Sequence, residues 1–579
     1  MALLRSKIKL FIILFILILP FSMNAQVTFN KVPLDKQLVA RDQFTNKGEV
    51  IIKGQVDKSG SNPNYDSFRI EIYRTDNTET TLYKTENQSL SYSGSLASFN
   101  FSISIDAELA NYSIKAFGLI NSSATLITLP TGTGNEIVAG DVYIIEGQSN
   151  AEANIKDASD SAVANESEFI RVFASGTLDP VKLIDNQTWN YGKGDVSQGT
   201  LGNTGQWGIK LARMLLDSQQ IPIAIFNGAN ANRPISYFQA PVDYQSSLES
   251  NYGRLYYRLD QTGLKESVRA ILWSQGEASV GISTIDYKNE FLSLKSSWKN
   301  DYPNIVKFYI FQTKTHGLGT SVEVQMDTKE AQRQVSFENS DIHMMTTESL
   351  VSSNEPEHAH FVFTNGYETF ATRIFPLVKR DFFSGNNDVD LEPPMIIDAY
   401  LADNTTLVVK TDASSLIKDA TLINGFQLSN AGSAVITSII VENNKIIFTL
   451  SQYPGASGQI SYLGLDAGTI NGNFIRNTKD LELACFNKYP ITDVVLGVDD
   501  LENSNYLIIS HGINGLSVGS SKTVHEVKVY DLLGKLLYKD TPNNKNFDLN
   551  LNNVKKGTIL IIETRLENGF ILNKKTINY

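Results

Sequence analysis

Between Ala139 and Pro376 short apolar runs alternate with segments of helical pattern, and no other feature of the sequence narrows the fold as much. VYIIEG, IPIAIFNG, VRAILWSQG, IVKFYIFQT and IHMMTTES read as buried strands. WGIKLARMLLDSQQ, GRLYYRLDQ, YKNEFLSLKSSWKN and the stretch around TKEAQRQV read as helices between them. Strands separated by helices pair through crossovers, and the crossover helices cover both faces of a parallel sheet. The expectation is an α/β fold, a three-layer α/β/α sandwich. Open sheets of this kind place ligands at the carboxyl ends of their strands.

The flanks differ. From Val27 to about Glu136, EVIIKGQV, SFRIEIYRT, SFNFSISI and YSIKAFGLI alternate apolar and polar residues between Asn, Ser and Gly turns, the pattern of a β-sandwich. After the linker NNDVDLEPP strands return in TTLVVKT, SAVITSIIV and KIIFTL, and the last segment, from about Val494, is a small all-β unit. At 579 residues the chain calls for about four units of roughly 150 residues. The expected division is 1–25 a leader, 26–136 an Ig-like β-sandwich, 137–388 the α/β domain, 389–492 a second β-sandwich and 493–579 a terminal β domain.

Composition narrows the function. The net charge is -12, and no Lys/Arg-rich patch stands out. Nucleic acid is therefore not an expected partner, since its binding rests on neutralising phosphates. Arg5, Lys7 and Lys9 precede the apolar run LFIILFILIL, Pro20 and FSMNAQ, the order of a secretory signal, with cleavage expected after Ala25. The run is shorter than the ~20 residues that span a bilayer, so no transmembrane anchor is expected. With one cysteine, Cys485, no intrachain disulfide forms.

Three clusters carry chemistry. Ser149 follows the first strand of the α/β region in GQSNAEA, where a serine either caps the next helix or serves as a nucleophile at the sheet edge. Of six histidines, His360 stands out in EPEHAHF, because Glu357 three residues earlier could hold Nδ1 and leave Nε2 free to take a proton. A solvated loop, or a metal pair at His358 and His360, are the other readings of that stretch. No third ligand of suitable spacing follows, so no metal is expected. In WSQGEASVG, Gln275 and Glu277 fall at the same sheet edge as Ser149, where an amide can donate to an oxyanion.

Together these segments resemble the SGNH hydrolase superfamily, and within it the sialate O-acetylesterase-like carbohydrate acetylesterases, over Val138 to about Pro376. GDVYIIEGQSN resembles the nucleophile block, WSQGE the Gln-Gly-Glu block and EHAHF with its Gly-Tyr the Asp-x-x-His block. The resemblance implies a flavodoxin-like parallel sheet, with Ser149 as nucleophile, His360 as base and Glu357 as orienting acid. It further implies an oxyanion hole from the N–H groups of Ser149 and Gly208 with the Gln275 side chain, further contacts from Asn232 and Glu277, and no cofactor. The sequence departs from the family at Glu357 for Asp, at Ala151 for Met, and at Ala231-Asn232-Arg233 for Gly-Gly-Thr.

The expected activity is hydrolysis of acetyl esters on an acetylated glycan. The alternative is a non-catalytic glycan-binding surface protein with a decayed esterase core. VHEVKVYDLLGKLLYKD and KGTILIIETRLENGFILNKKTIN resemble the C-terminal sorting domain of Bacteroidetes type IX secretion cargo. That implies outer-membrane secretion machinery as a partner and a secreted or cell-surface location.

Overall fold

The computed structural model describes residues 26–154, 160–317, 321–353, 355, 358–383, 388–418, 425–464, 474–492, 507–512, 515–551, 553–567 and 569–577. The expected leader lies outside them.

Six parallel strands form the centre: β1 (Val138–Gly147), β2 (Ile170–Phe173), β3 (Ile223–Asn227), β4 (Val268–Ser274), β5 (Lys307–Phe311) and β6 (Ile342–Met345), in the order β2-β3-β1-β4-β5-β6. Trp189–Tyr191 adds an antiparallel edge beside β2. Every residue of β1 is buried, as a strand covered on both faces requires. Its side chains alternate between two cores. Val142 and Ile144 pack with Leu255 and Leu259 of α3 (Asn251–Thr262), Phe291 and Trp298 of α4 (Thr284–Asp301) and Val335 of α5 (Val322–Glu338). Tyr143 and Ile145 pack with Trp207 and Leu215 of α2 (Gln206–Gln219) and Phe370 and Ile374 of α6 (Glu368–Phe382). Helices thus cover both faces, three on one and two on the other.

The helix starts are written locally. Ser250 Oγ accepts from Gly253 N at 2.9 Å at the start of α3, and Ser283 Oγ accepts from Asp286 N at 3.1 Å at the start of α4. Strand β2 went unread in the sequence because four residues are too few to show a period.

The boundary expected at 136/137 does not separate two sheets. Strand β1 begins by pairing in parallel with Leu38–Asp42 of the N-terminal β domain, from Leu38↔Val138 to Ala40↔Gly140, so one strand serves both. Arg41 and Asp141 seal the junction in a buried ion pair at 2.8 Å.

The N-terminal domain packs its two sheets around Val50, Ile52, Phe68, Ile70, Phe99 and Ile103. A second β unit closes on Leu407, Phe426, Phe448, Tyr462 and Phe486, and it is fastened to the α/β domain where Arg373 meets Glu482 at 2.8 Å. A six-stranded sheet from Leu507 to Ile577 has its own core of Val518, Val527, Val529, Leu560 and Ile562. No helix among the described residues is long and apolar enough to cross a membrane.

Candidate active site

At the end of β1 the chain turns sharply beneath β4. Gly147 has φ +130°, and a Cβ there would stand 2.1 Å from Ser274 O, so only glycine fits. Gln148 N donates to the same Ser274 O at 2.9 Å. Gln148, not Ser149, is the N-cap of the four-residue helix α1 (Ser149–Glu152), and it caps without a side-chain hydrogen bond. The capping reading of Ser149 therefore does not hold.

Ser149 instead lines a pocket of about 310 Å³ with Gln148, Glu152, Asn232, Glu277 and His360. The pocket opens where β3, β1 and β4 end, because Asn232 follows β3, Ser149 follows β1 and Glu277 follows β4. This is the edge at which an open α/β sheet takes ligands.

His360 arrives from a loop after β6. The loop folds back on itself through Ser353 N donating to His360 O at 2.7 Å and Val362 N donating to Val351 O at 3.3 Å. The carboxylate against His360 Nδ1 is that of Glu355, in a short contact. Glu357 lies outside the described residues. The contact with Glu355 fixes the ring so that Nε2 is the nitrogen able to take a proton. Among the described residues Nε2 has no hydrogen-bond partner.

The structure separates two of the other expected residues from the pocket. Gly208 is in the first turn of α2, where a Cβ would meet Ile145 Cδ1 at 2.7 Å; it lets the helix approach the sheet and is not part of the pocket wall. Gln275 is fully buried, with Nε2 within bonding distance of Ser279 Oγ at 2.8 Å, Arg233 O at 3.0 Å and Gln148 Oε1 at 3.2 Å, while its Oε1 accepts from Tyr287 OH at 3.0 Å. Its amide fastens the turns under the pocket and has no donor left for an oxyanion. Asn232 does reach the pocket, from left-handed backbone at φ 56°.

Sequence reasoning assigned no role to Asn150, which joins Glu277 to the histidine loop. Its Nδ2 donates to Glu277 Oε1 at 2.6 Å and to Ala359 O at 3.0 Å, its Oδ1 accepts from Tyr367 OH at 3.0 Å, and its carbonyl accepts from Trp207 Nε1 at 2.8 Å. The neighbour of the nucleophile candidate thus ties it to the histidine loop. Only its place beside Ser149 hinted at this. Below the turn Glu146 accepts from Gly147 N at 3.1 Å, and burial pushes its carboxyl up to about 8.

A serine and a carboxylate-held histidine lining one pocket are suited to acyl transfer. Comparison with known proteins agrees. Residues 139–374 match the carbohydrate esterase family described as sialic acid-specific acetylesterase. Ser149, Gln275, Glu277 and His360 all fall inside the match. Residues 496–578 match a domain family of unknown function. No curated protein matches the sequence.

Among solved structures, a carbohydrate acetylesterase from Xanthomonas citri is similar at a TM-score of 0.53 and 15% identity, over 79% of this chain and 98% of that one. That likeness extends the shared fold beyond the esterase-family region into the flanking β domains. A family two carbohydrate esterase from Cellvibrio japonicus aligns over 62% of this chain and 100% of its own at 10% identity, with a TM-score of 0.27.

Proposed function

We propose that the protein is a serine carboxylic ester hydrolase that removes O-acetyl groups from carbohydrates, built on an SGNH-type sandwich. The observation that carries this reading is the shared pocket of Ser149 and His360, with Glu355 on the far nitrogen of the ring. The family match over residues 139–374 supports the substrate class.

In this reading Ser149 Oγ attacks the acetyl carbonyl while His360 Nε2 takes its proton. The oxyanion of the tetrahedral intermediate rests on the Ser149 N–H and on Asn232, which stands in the wall where Gly208 and Gln275 do not. His360 then returns the proton to the sugar oxygen, the C–O bond breaks and acetyl-Ser149 remains. Water, deprotonated by His360, attacks the acetyl group, and acetate leaves with Ser149 restored. No step calls for a cofactor.

The leader-like N-terminus and the C-terminal β domain support a further part of the proposal, that the enzyme is exported and handled by secretion machinery. The deciding experiment is acetate release from acetylated polysaccharides by the purified protein, with a serine-directed phosphonate titrating one site per chain. The Ser149→Ala variant should release no acetate above about 10⁻⁶ of the wild-type rate, as for other lost nucleophiles. If the variant kept a tenth of the rate, or bound the phosphonate, the nucleophile would be elsewhere.

A further inference from the structure

The side-chain amide of Gln148 is oriented by its surroundings. Its Oε1 accepts from Ala278 N at 3.0 Å, from Gln275 Nε2 at 3.2 Å and from Gly276 N at 3.3 Å. Two of these donors are backbone N–H groups, which meet only an acceptor, so the amide oxygen faces the turn after β4 and the NH2 group faces away from it. Nε2 has no hydrogen-bond partner among the described residues, yet it is not one of the buried polar atoms sealed off without one. Gln148 is 3% exposed, and it lines the pocket together with Ser149. With Oε1 engaged, the polar group that this side chain offers the pocket is the NH2, which carries two donors.

Acyl transfer needs such a donor. Charge develops on the carbonyl oxygen only as Ser149 Oγ adds to the carbonyl carbon, and a donor fixed in advance beside the nucleophile stabilises that charge without reorganising. Gln148 is fixed in advance by the three bonds to Oε1, and it adjoins Ser149 in the chain. Bonds to Oε1 also polarise the amide, which makes its N–H groups stronger donors. Gln275 spends its own amide partly on this fastening, so the donor that reaches the pocket is that of Gln148.

Resting on the esterase reading above, we propose that Gln148 is a catalytic residue whose Nε2 donates to the acetyl carbonyl oxygen as that oxygen becomes the oxyanion, alongside the Ser149 N–H and Asn232. Gly276, Ala278 and Gln275 are the groups that position it. They act through the Gln148 amide and touch no reacting atom.

The test compares the full-length protein with its Gln148→Met and Gln148→Glu variants on 4-nitrophenyl acetate and on a mono-O-acetylated methyl glycoside. Methionine keeps the length of the side chain without the donor, and it leaves Gly276 N and Ala278 N unpaired, so Tm should fall. Glutamate keeps an acceptor for those two groups and should hold Tm near the wild-type value, but it has no amide N–H. Both variants should lose about 10²- to 10³-fold in kcat on both esters, the size of one oxyanion donor. KM should change by less than about threefold, because the ground-state carbonyl carries little of the charge. Wild-type kcat in the glutamate variant would make Gln148 a structural brace, and a loss in the glutamate variant alone would be the effect of its charge; either result overturns the proposal. So does a loss confined to the glycoside, which would put the amide on the sugar. Should either variant fail to fold, the crystal structure of the wild type phosphonylated at Ser149 decides. Nε2 belongs within about 3.2 Å of the phosphonyl oxygen that stands in for the oxyanion, and a separation beyond about 3.5 Å overturns the assignment. Ester cleavage by the wild type with kcat unchanged in both variants sinks this proposal alone, while no cleavage of any ester by the wild type sinks the esterase reading with it.

Discussion

Glu355 holds Nδ1 of His360 from five residues upstream, across a turn in which His358 N donates to Glu355 O at 3.0 Å and His358 adopts left-handed backbone at φ 51°. The turn shortens the path between the two side chains, so five residues of chain bring the carboxylate to the ring. Both side chains are partly buried, at 18% and 28% exposure, and their attraction is only partly screened.

This pairing yields the first prediction. Glu355→Ala should lower kcat on an acetyl ester by roughly 10³- to 10⁴-fold, because the ring loses the group that sets its tautomer and steadies its charged form. Glu357→Ala should leave kcat within the wild-type order of magnitude, because Glu355 already makes the contact with Nδ1. Steady-state kinetics on both variants decides; the opposite ranking would return the role to Glu357.

Gln275→Ala should act on stability before catalysis. Its amide serves Arg233 O, Ser279 Oγ and Gln148 Oε1, so truncation leaves buried acceptors short and costs about 1–3 kcal/mol. Thermal melting should show a lower Tm, with kcat reduced by less than about tenfold. A hundredfold loss of kcat at unchanged Tm would make Gln275 an oxyanion donor after all.

Glu146 makes stability depend on pH. Its carboxyl stands at about 8 in the folded protein against an ordinary 4.5, chiefly through burial. The folded state therefore binds this proton more tightly, and the contribution to stability is complete below about pH 4.5 and is lost as the pH rises toward 8. Glu146→Gln keeps the acceptor for Gly147 N and removes the titration. Its stability relative to wild type, from urea unfolding, should improve between pH 5 and pH 8.5 by on the order of a few kcal/mol. An identical difference at both pH values would show that Glu146 is ionised in the fold.

Export and catalysis should separate. Deleting the chain from Val494 onward removes the sheet built around Val518, Val529 and Ile562, whose core shares no residue with that of the α/β domain. The truncated protein should hydrolyse acetyl esters at the full-length rate yet be retained inside the outer membrane. Cell fractionation that finds normal surface amounts would end the sorting proposal.

The sequence by itself determined the alternation of strand and helix, the flanking β domains, and the placing of Ser149 and Glu277 at one sheet edge. These follow from local spacing: a strand buried on both faces must be apolar throughout, as β1 is, and the residue after it must stand at the edge. The sequence singles out Ser149 and His360 because few residues of their chemistry stand in such settings, and the fold brings both to one pocket. Only the tertiary structure shows the Glu355 carboxylate against His360 Nδ1, since a separation of five residues does not by itself reveal the turn at His358 that brings the two together. It likewise decided that the Gln275 amide is consumed by Arg233, Ser279 and Gln148, and that Gly208 faces Ile145. Asn150 meets Glu277 from 127 residues away and Ala359 from 209 residues away. Hydrogen bonds of such separation leave no period in the sequence, because their partners are chosen by the packing of distant segments and not by the spacing along one.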